Sequence, residues 1–294
     1  MEARPQNESA MPAAERRDCG AFKLRGALNT LMQTPKEKLA RGVVAPSSGN
    51  HAQAVAYAAR LFGLSALAVM PQTSPPAKRD GVRRWGGEVR LVDTLRDGPV
   101  GPWAETHAAE NGLFLAHPFD SPHIVAATGA VGLELLEACE DLDEVFVPVS
   151  GGGLIAGVAT ALKSRRPQLR VIGVEPELAN DAQLSFRSGE RRRLTTAETT
   201  RTMADGLRVE QVGELTWPHI QAYVDDIVTV SEEEIADMVL AIARECYIIA
   251  EPSGAVAPAA ARREARDPSR AAAIVSGGNC EPALLARLQT ERGK

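Results

Sequence analysis

The sequence predicts an α/β protein, in which the strands of a mostly parallel sheet alternate with helices that flank it. Two observations carry this prediction. Short apolar runs of strand length alternate with segments of helical periodicity, and several strand-to-helix junctions are rich in glycine or serine, as in "VPVSGGGLIAG" at 147–157. Strands joined through a helix lie parallel in such folds, because the helix returns the chain to the edge of the sheet where the first strand began.

The predicted elements follow one another along the whole chain. Ser231 and Glu234 have the spacing of a capping box, which marks the start of one helix. The Arg- and Thr-rich stretch 187–205 is predicted to be a surface connection. Strands are predicted at 42–46, 66–71, 88–93, 113–118, 144–149, 170–176, 226–230 and 271–278. Helices are predicted at 50–63, 76–87, 103–111, 124–140, 154–167, from Ser231 through "IADMVLAIARECYII", and at the C-terminus.

Composition excludes several classes of protein. The chain has 294 residues, of which 44% are hydrophobic, enough for one large or two medium domains. Its net charge is −5 and its one basic run, 191–193, is short, so nucleic-acid binding is not expected. No apolar run has the length of a membrane span, and the N-terminus lacks the apolar segment of a signal peptide. Four scattered cysteines without zinc-ligand spacing indicate reduced thiols and a cytoplasmic protein.

Lys23 lies among small and apolar residues in "CGAFKLRGALN". Burial of such a lysine lowers its pKa, because the charged form loses its hydration, and the free amine can then form an imine with a carbonyl compound. The alternative is an ordinary lysine with a buried stem and a solvated ammonium group.

The glycine-rich loop at 149–153 is predicted to bind a phosphate group. Glycines allow the backbone N–H groups to approach an anion, and the N-terminus of the following helix favours negative charge. The loop lacks the GxGxxG and GxxxxGK[ST] patterns, which disfavours a nicotinamide-binding Rossmann protein. A tight turn without a ligand remains the alternative.

A second polar junction, "PSSGNHAQ" at 46–53, would hold a carboxylate and a ring substituent through Ser47, Ser48 and Asn50. The same residues could instead only cap the helix. A third junction is "VSGGN" at 275–279. One lysine, one phosphate loop and polar loops at other strand ends together predict a site for pyridoxal phosphate.

Seven short motifs occur in a characteristic order: "FKLRGA", "SSGNHAQ", "SGGGLIAG", "GVEP", "ADGL", "EPSGA" and "VSGGN". The chain thereby resembles the fold-type II pyridoxal-phosphate enzymes, and more narrowly the serine racemase and serine/threonine dehydratase family. The resemblance implies two domains, each with a mostly parallel sheet flanked by helices. Residues 1–41 and 121–294 would form the large cofactor-binding domain, and 42–120 a small mobile domain that closes over the substrate. It also implies a homodimer.

The resemblance implies roles for individual residues. Lys23, beside Phe22, would bind the cofactor aldehyde and move the α-proton of the substrate. Ser276 would face the ring nitrogen, and Ser48 would lie across the ring from Lys23, where racemases keep a second acid or base. Asn50 would contact the ring hydroxyl. The phosphate would be held by Ser150, Gly151, Gly152, Gly153 and Leu154, and the substrate carboxylate by Ser47, Ser48, Gly49, Asn50 and His51.

The segment "GVEPELAND" resembles the cation-binding segment of serine racemase-like enzymes. Glu175, the carbonyl of Ala179 and Asp181 would be hard oxygen ligands for Mg²⁺ or Ca²⁺, completed by water. The alternative is a surface loop with two solvated acids.

The expected function is that of an ammonia-lyase acting on an amino-acid substrate with a β-hydroxyl group: serine, threonine or 3-hydroxyaspartate. The products would be a 2-keto acid and ammonia, and racemisation of serine is a second expected activity. The alternatives are a β-replacement enzyme and an inactive paralogue. Only 22 residues precede Lys23, fewer than this family carries, so part of the large domain is expected to be missing and stability and activity to be reduced.

Overall fold

The computed structural model describes residues 19–47, 49–94 and 96–292. The strands are β1 (Val43–Pro46), β2 (Ala66–Pro71), β3 (Glu88–Val92), β4 (Phe114–Leu115), β5 (Glu144–Pro148), β6 (Arg170–Pro176), β7 (Asp226–Val230) and β8 (Ala271–Ala273). They form two four-stranded sheets with the orders β3-β2-β1-β4 and β7-β6-β5-β8. The paired strands are parallel throughout. The predicted α/β fold is therefore confirmed, whereas the division into a large and a small mobile domain stays a prediction.

Helices connect the strands and cover the sheets. They are α1 (Lys23–Gln33), α2 (Lys36–Leu39), α3 (Asn50–Leu61), α4 (Pro76–Arg84), α5 (Val100–Asn111), α6 (Pro122–Ala138), α7 (Gly153–Arg165), α8 (Asp181–Ser188), α9 (Thr196–Thr199), α10 (Thr216–Tyr223), α11 (Glu232–Glu245), α12 (Pro252–Glu264) and α13 (Pro282–Arg292), with short 3₁₀ turns at Asp205–Leu207 and Pro268–Arg270. Within the described residues, no helix is long and apolar enough to cross a membrane.

The central strands are buried along their whole length. Each residue of β1 and of β5 is buried, because helices pack on the sheets: α3 and α5 against β1, and α7 and α12 against β5. Continuous apolar runs such as these are typical of parallel strands that are covered on both faces.

Two predicted strands are shorter than expected, and both end where the chain turns towards Lys23. The strand predicted at 113–118 ends at Leu115, and a turn follows in which His117 Nδ1 accepts the N–H of Asp120 at 2.8 Å. The strand predicted at 271–278 ends at Ala273. Beyond it, the carbonyl of Ser276 accepts the N–H of Phe22 at 3.1 Å, so this segment pairs with the chain before α1 instead of with β5.

The capping box at Ser231 and Glu234 is present, but the helix that it begins ends at Glu245. The predicted continuation through "CYII" is wrong, because Tyr247 adopts a left-handed backbone with φ of 57°. Periodicity also missed α1, α8, α10 and α12. The predicted surface connection at 187–205 contains the short helix α9, which has its own capping box.

Helix α1 lies where the two halves of the fold meet. Its residues Leu24, Ala27 and Leu31 belong to the apolar core of the first sheet. Phe22, one residue before α1, packs against the core of the second sheet. Lys23 therefore stands at the boundary between the two cores.

Candidate active site

Lys23 begins α1, and its side chain reaches inward to the chain that follows β4. Its Nζ donates to the carbonyl of Pro118 at 2.7 Å and lies 5.0 Å from the centre of the Phe22 ring. Among the described residues, no carboxylate forms an ion pair with it. Burial lowers its pKa from 10.5 to about 8, so a usable fraction of the free amine exists near neutral pH. The structure thus favours a reactive lysine over one with a solvated ammonium group.

Two histidines adjoin Lys23, and both are kept neutral. Burial, followed by repulsion from the ammonium of Lys23, lowers the pKa of His51 to about 3. Its Nε2 lies 2.8 Å from the carbonyl of Ala116, which fixes the Nε2–H tautomer. Burial also lowers the pKa of His117, against the attraction of Asp120. Because both imidazole rings are neutral, neither places a positive charge beside the Lys23 amine.

Asn50 is the first residue of α3, and neighbours on the other half of the fold orient its amide. The Nδ2 group donates to Glu251 Oε1, and Oδ1 accepts from Asn279 Nδ2 at 2.8 Å. Asn279 Nδ2 also donates to the carbonyl of Cys19 at 2.8 Å. Glu251 and Asn279 were not predicted as site residues, although both lie in the quoted motifs "EPSGA" and "VSGGN".

The loop before α3 is only partly described, since Ser48 lies outside the described residues. Ser47 Oγ accepts the N–H of Gly49 at 3.1 Å, and among the described residues no side chain caps α3. The alternative that Ser47, Ser48 and Asn50 only cap the helix is therefore not supported by Ser47 or Asn50, and for Ser48 it stays a prediction. A Cβ on Gly49 would lie 2.6 Å from Cδ of Lys78, so this loop packs directly on that lysine.

The glycine loop joins β5 to α7. Gly152 adopts φ of 89°, which glycine alone adopts without strain, and no side chain caps the helix after it. Ser150 Oγ is buried and has no hydrogen-bond partner among the described residues. An unpartnered hydroxyl beside an uncapped helix N-terminus fits a phosphate group, which supplies acceptors for both. Leu154, in the first turn, is buried beneath the loop.

Ser276 follows β8, the strand next to β5. It is buried, and its Oγ makes only a long contact of 3.4 Å with the carbonyl of Ser253. Because this contact is weak, the neutral hydroxyl of Ser276 is free to form a hydrogen bond with an uncharged ring nitrogen of a bound ligand.

Two of the three predicted cation ligands are fully buried acids: Glu175 at the end of β6 and Asp181 at the start of α8. Glu175 accepts the N–H groups of Ala182 and Gln183 at 3.2 and 2.8 Å. Among the described residues, neither carboxylate oxygen of Asp181 has a well-aligned hydrogen-bond partner. The alternative of two solvated surface acids is therefore wrong, because Glu175 and Asp181 have no exposed surface.

Burial and mutual repulsion act strongly on these two acids. They raise the pKa of Glu175 well above its usual value, and burial raises the pKa of Asp181 to about 7. Among the described residues, no cluster of three His, Cys, Asp or Glu side chains is arranged to bind a metal. A cation at this site would therefore depend on the two carboxylates, the buried Ala179 backbone and water.

The comparisons with known proteins agree with this arrangement. The family model described as "Pyridoxal-phosphate dependent enzyme" matches residues 14–277. The L-threonine ammonia-lyase of Thermotoga maritima is 40% identical over 92% of this chain, which spans 66% of that protein's length. The serine racemase of Oryza sativa is 39% identical, with 90% of this chain and 79% of the relative covered. Maize serine racemase superposes with a TM-score of 0.84 at 37% identity, covering 93% of this chain and 84% of the maize chain.

Three findings lead to one assignment: the glycine loop with its unpartnered serine, the lysine with a lowered pKa, and the match over most of the chain. This chain belongs to the family of pyridoxal-phosphate dependent enzymes.

Proposed function

We propose that this chain is an ammonia-lyase that acts on a β-hydroxy amino acid and releases a 2-keto acid and ammonia. The observation that carries the proposal is the half-buried amine of Lys23, which has a lowered pKa and shares its site with the oriented amide of Asn50. The names of the relatives, threonine ammonia-lyase and serine racemase, support this reaction class. Serine and threonine are the favoured substrates, with 3-hydroxyaspartate as the third candidate.

Four groups of the chain would hold the cofactor. Lys23, beside the Phe22 ring, would bind its aldehyde carbon, and the loop from Ser150 to Leu154 its phosphate. Asn50 has a second Nδ2 hydrogen besides the one given to Glu251, and this hydrogen would go to the ring hydroxyl. Ser276 would meet the ring nitrogen with a neutral hydroxyl. When bound, pyridoxal phosphate supplies an electron sink for the charge left at the α-carbon.

Lys23 would act as the base. As a free amine, Lys23 would take the α-proton of the substrate, which a lysine with a pKa near 8 can do at physiological pH. The β-hydroxyl would leave with one proton as water, which balances the α-proton taken by Lys23, and the free enamine would react with water to give the keto acid and ammonia. The backbone at Gly49 and the first turn of α3, with Ser47 and His51 alongside, would hold the substrate carboxylate.

Racemisation of serine is the second candidate activity, favoured by the relatives named serine racemase. It requires an acid on the face opposite Lys23, and the sequence offers Ser48 for that role. The ratio of D-serine to keto acid would measure the share of each reaction.

We further propose that Glu175, Asp181 and the carbonyl of Ala179 bind Mg²⁺ or Ca²⁺. The burial of both acids, the lack of a well-aligned partner for the Asp181 oxygens and the raised pKa values support this proposal, because a divalent cation would remove the repulsion between two buried carboxylates. A cytoplasmic homodimer stays a prediction from the sequence.

The visible absorption spectrum of the purified chain with added pyridoxal phosphate tests the main proposal. We expect a band that borohydride removes, with the reduced cofactor retained on the peptide that contains Lys23. Lys23→Ala should lose the band, whereas Lys38→Ala, at an exposed lysine, should keep it. Keto-acid release from serine, threonine and 3-hydroxyaspartate then identifies the substrate.

Other results would support the rival functions. A folded chain that stays colourless would be an inactive paralogue. A coloured chain that makes keto acid from none of the three substrates, but couples an activated serine to a thiol, would be a β-replacement enzyme.

A further inference from the structure

A four-residue segment, His117–Asp120, lies between Lys23 and the glycine loop and contacts both. At one end, the carbonyl of Pro118 accepts from Lys23 Nζ at 2.7 Å. At the other, the Phe119 ring occupies the space where a Cβ on Gly151 would stand, and a Cβ on Gly153 would lie 2.9 Å from the Phe119 carbonyl oxygen. Only His117 and Pro118 of this segment belong to a strand predicted from the sequence.

Asp120 attaches the segment to the start of α10. Its Oδ2 accepts the N–H of Glu214 at 3.0 Å, and its Oδ1 accepts those of Leu215 and Thr216 at 2.9 and 3.2 Å. A carboxylate at this position satisfies N–H groups that a helix start leaves unpaired and is favoured by the helix dipole. The attachment joins residues 94 or more positions apart in the sequence.

Helix α10 in turn holds the glycine loop. The hydroxyl of the fully buried Thr216 donates to the carbonyl of Gly151 at 2.7 Å, and the N–H of Gly213 donates to the same oxygen at 3.1 Å. Two donors fix the direction of this carbonyl. Because the peptide unit is planar and trans, the N–H of Gly152 must then point away from α10.

We infer that Asp120 and Thr216 are positioning residues for the cofactor phosphate, which set the orientation of the glycine loop at a fixed separation from Lys23. Asp120 holds the start of α10 against the segment that Lys23 contacts. Thr216, the first residue of α10, then holds the carbonyl of Gly151 by a hydrogen bond. The inference rests on the proposed function, since it requires the loop to bind the phosphate of pyridoxal phosphate.

Binding of two ligands would distinguish a role in positioning the phosphate from a role in the overall stability of the chain. Pyridoxal phosphate reaches both Lys23 and the glycine loop, whereas 5′-deoxypyridoxal keeps the aldehyde and ring but has no phosphate. Equilibrium dissociation constants for both would be measured by absorption for the wild type, Asp120→Ala, Thr216→Val and Thr216→Ser. Asp267→Ala is the matched control, because Asp267 also accepts a backbone N–H, that of Ser269 at 2.9 Å, in an exposed turn before β8.

We expect Asp120→Ala to weaken binding of pyridoxal phosphate at least about tenfold and Thr216→Val about fivefold, with 5′-deoxypyridoxal affinity unchanged. Thr216→Ser should restore the wild-type value, because it keeps the hydroxyl donor. Asp267→Ala should bind both ligands as the wild type does.

Three results would overturn the inference. One is equal weakening for the two ligands, which would indicate a purely structural role, and another is unchanged affinity in both folded variants. A wild-type chain that binds neither ligand would refute the proposed function and the inference together, which distinguishes that failure from the other two.

Discussion

Lys78 forms an ion pair with Asp205 that joins the two halves of the fold. Lys78 lies on α4, between β2 and β3, whereas Asp205 begins the 3₁₀ turn before α10. Oε2 of Glu251 lies 3.8 Å from the same Nζ, and both Lys78 and Glu251 are buried. Burial alone would lower the pKa of Lys78, but Asp205 and Glu251 together raise it, and burial raises the pKa of Glu251. One lysine therefore faces two acids, one of which also orients Asn50.

Replacement of Lys78 should destabilise the chain. Lys78→Met leaves Asp205 and Glu251 without a cation, and removal of one partner from a buried pair costs about 3 kcal/mol. Urea unfolding would measure the loss. The double variant Lys78→Met/Asp205→Asn should recover part of it. Arg83→Met, which removes an exposed ion pair with Asp80 on the same helix, should cost less than about 1 kcal/mol. Equal stability of Lys78→Met and the wild type would contradict this account.

The reactivity of Lys23 should depend on pH with a midpoint near 8. Only the unprotonated amine is nucleophilic, so a lowered pKa makes Lys23 reactive at a lower pH. Competitive acetylation followed by mass spectrometry, on the chain without cofactor, would follow each lysine separately. The exposed Lys38 is the internal control, because its amine lies in solvent. If Lys23 followed the control, the burial argument would be wrong.

A divalent cation should stabilise the chain more at pH 8 than at pH 6. The pKa values of Glu175 and Asp181 are raised, so their contribution to stability is present at low pH and is lost as the pH rises through the folded-state values, about 7 for Asp181. A cation restores it by replacing the proton. Thermal unfolding with Mg²⁺, Ca²⁺ or a chelator would measure the effect.

Asp181→Ala should lose this response to cations. The matched control is Asp225→Ala, at a partly exposed acid paired with Lys163, which should keep the response. A response equal at both pH values, or retained in Asp181→Ala, would place the cation elsewhere.

Gly152→Ala should impair both stability and cofactor binding. Its φ of 89° strains any L-residue by about 1–2 kcal/mol, and the new Cβ would lie 2.7 Å from Thr216 Oγ1. Gly189→Ala is the control, because Gly189 has φ of 75° and open space around its Cβ position. Urea unfolding and pyridoxal-phosphate titration should show a stability loss in both variants but weaker binding only in Gly152→Ala. Weaker binding in both would indicate that backbone strain alone is responsible.

Local patterns predicted the site because its parts lie at chain positions with strong signals. The loop at 149–153 is marked by consecutive glycines between a strand and a helix, and Lys23 is the one lysine in a stretch of mostly small and apolar residues. The strand ends were harder to predict. The segments after β4 and β8 keep apolar residues but leave the sheets, and their carbonyls instead accept from the chain around Lys23: that of Pro118 from Lys23 Nζ and that of Ser276 from the N–H of Phe22.

Contacts between distant segments had no local signal. Glu251 touches Asn50 over 201 positions, and Asp120 caps a helix that starts 96 positions later. A carboxylate in a sequence looks the same whether it is solvated or buried, so only packing distinguishes Asp181 from an ordinary surface acid.

The sequence by itself determined the parallel α/β fold and the family, and it singled out the lysine and the glycine loop. Periodicity, glycine and the order of motifs are properties of neighbouring residues, and the chain carries them before it folds. The tertiary structure alone decided the lowered pKa of Lys23, the orientation of Asn50 and the burial of Glu175 with Asp181. These depend on exclusion of water and on groups brought together from remote segments, and both arise only when the two sheets pack around α1.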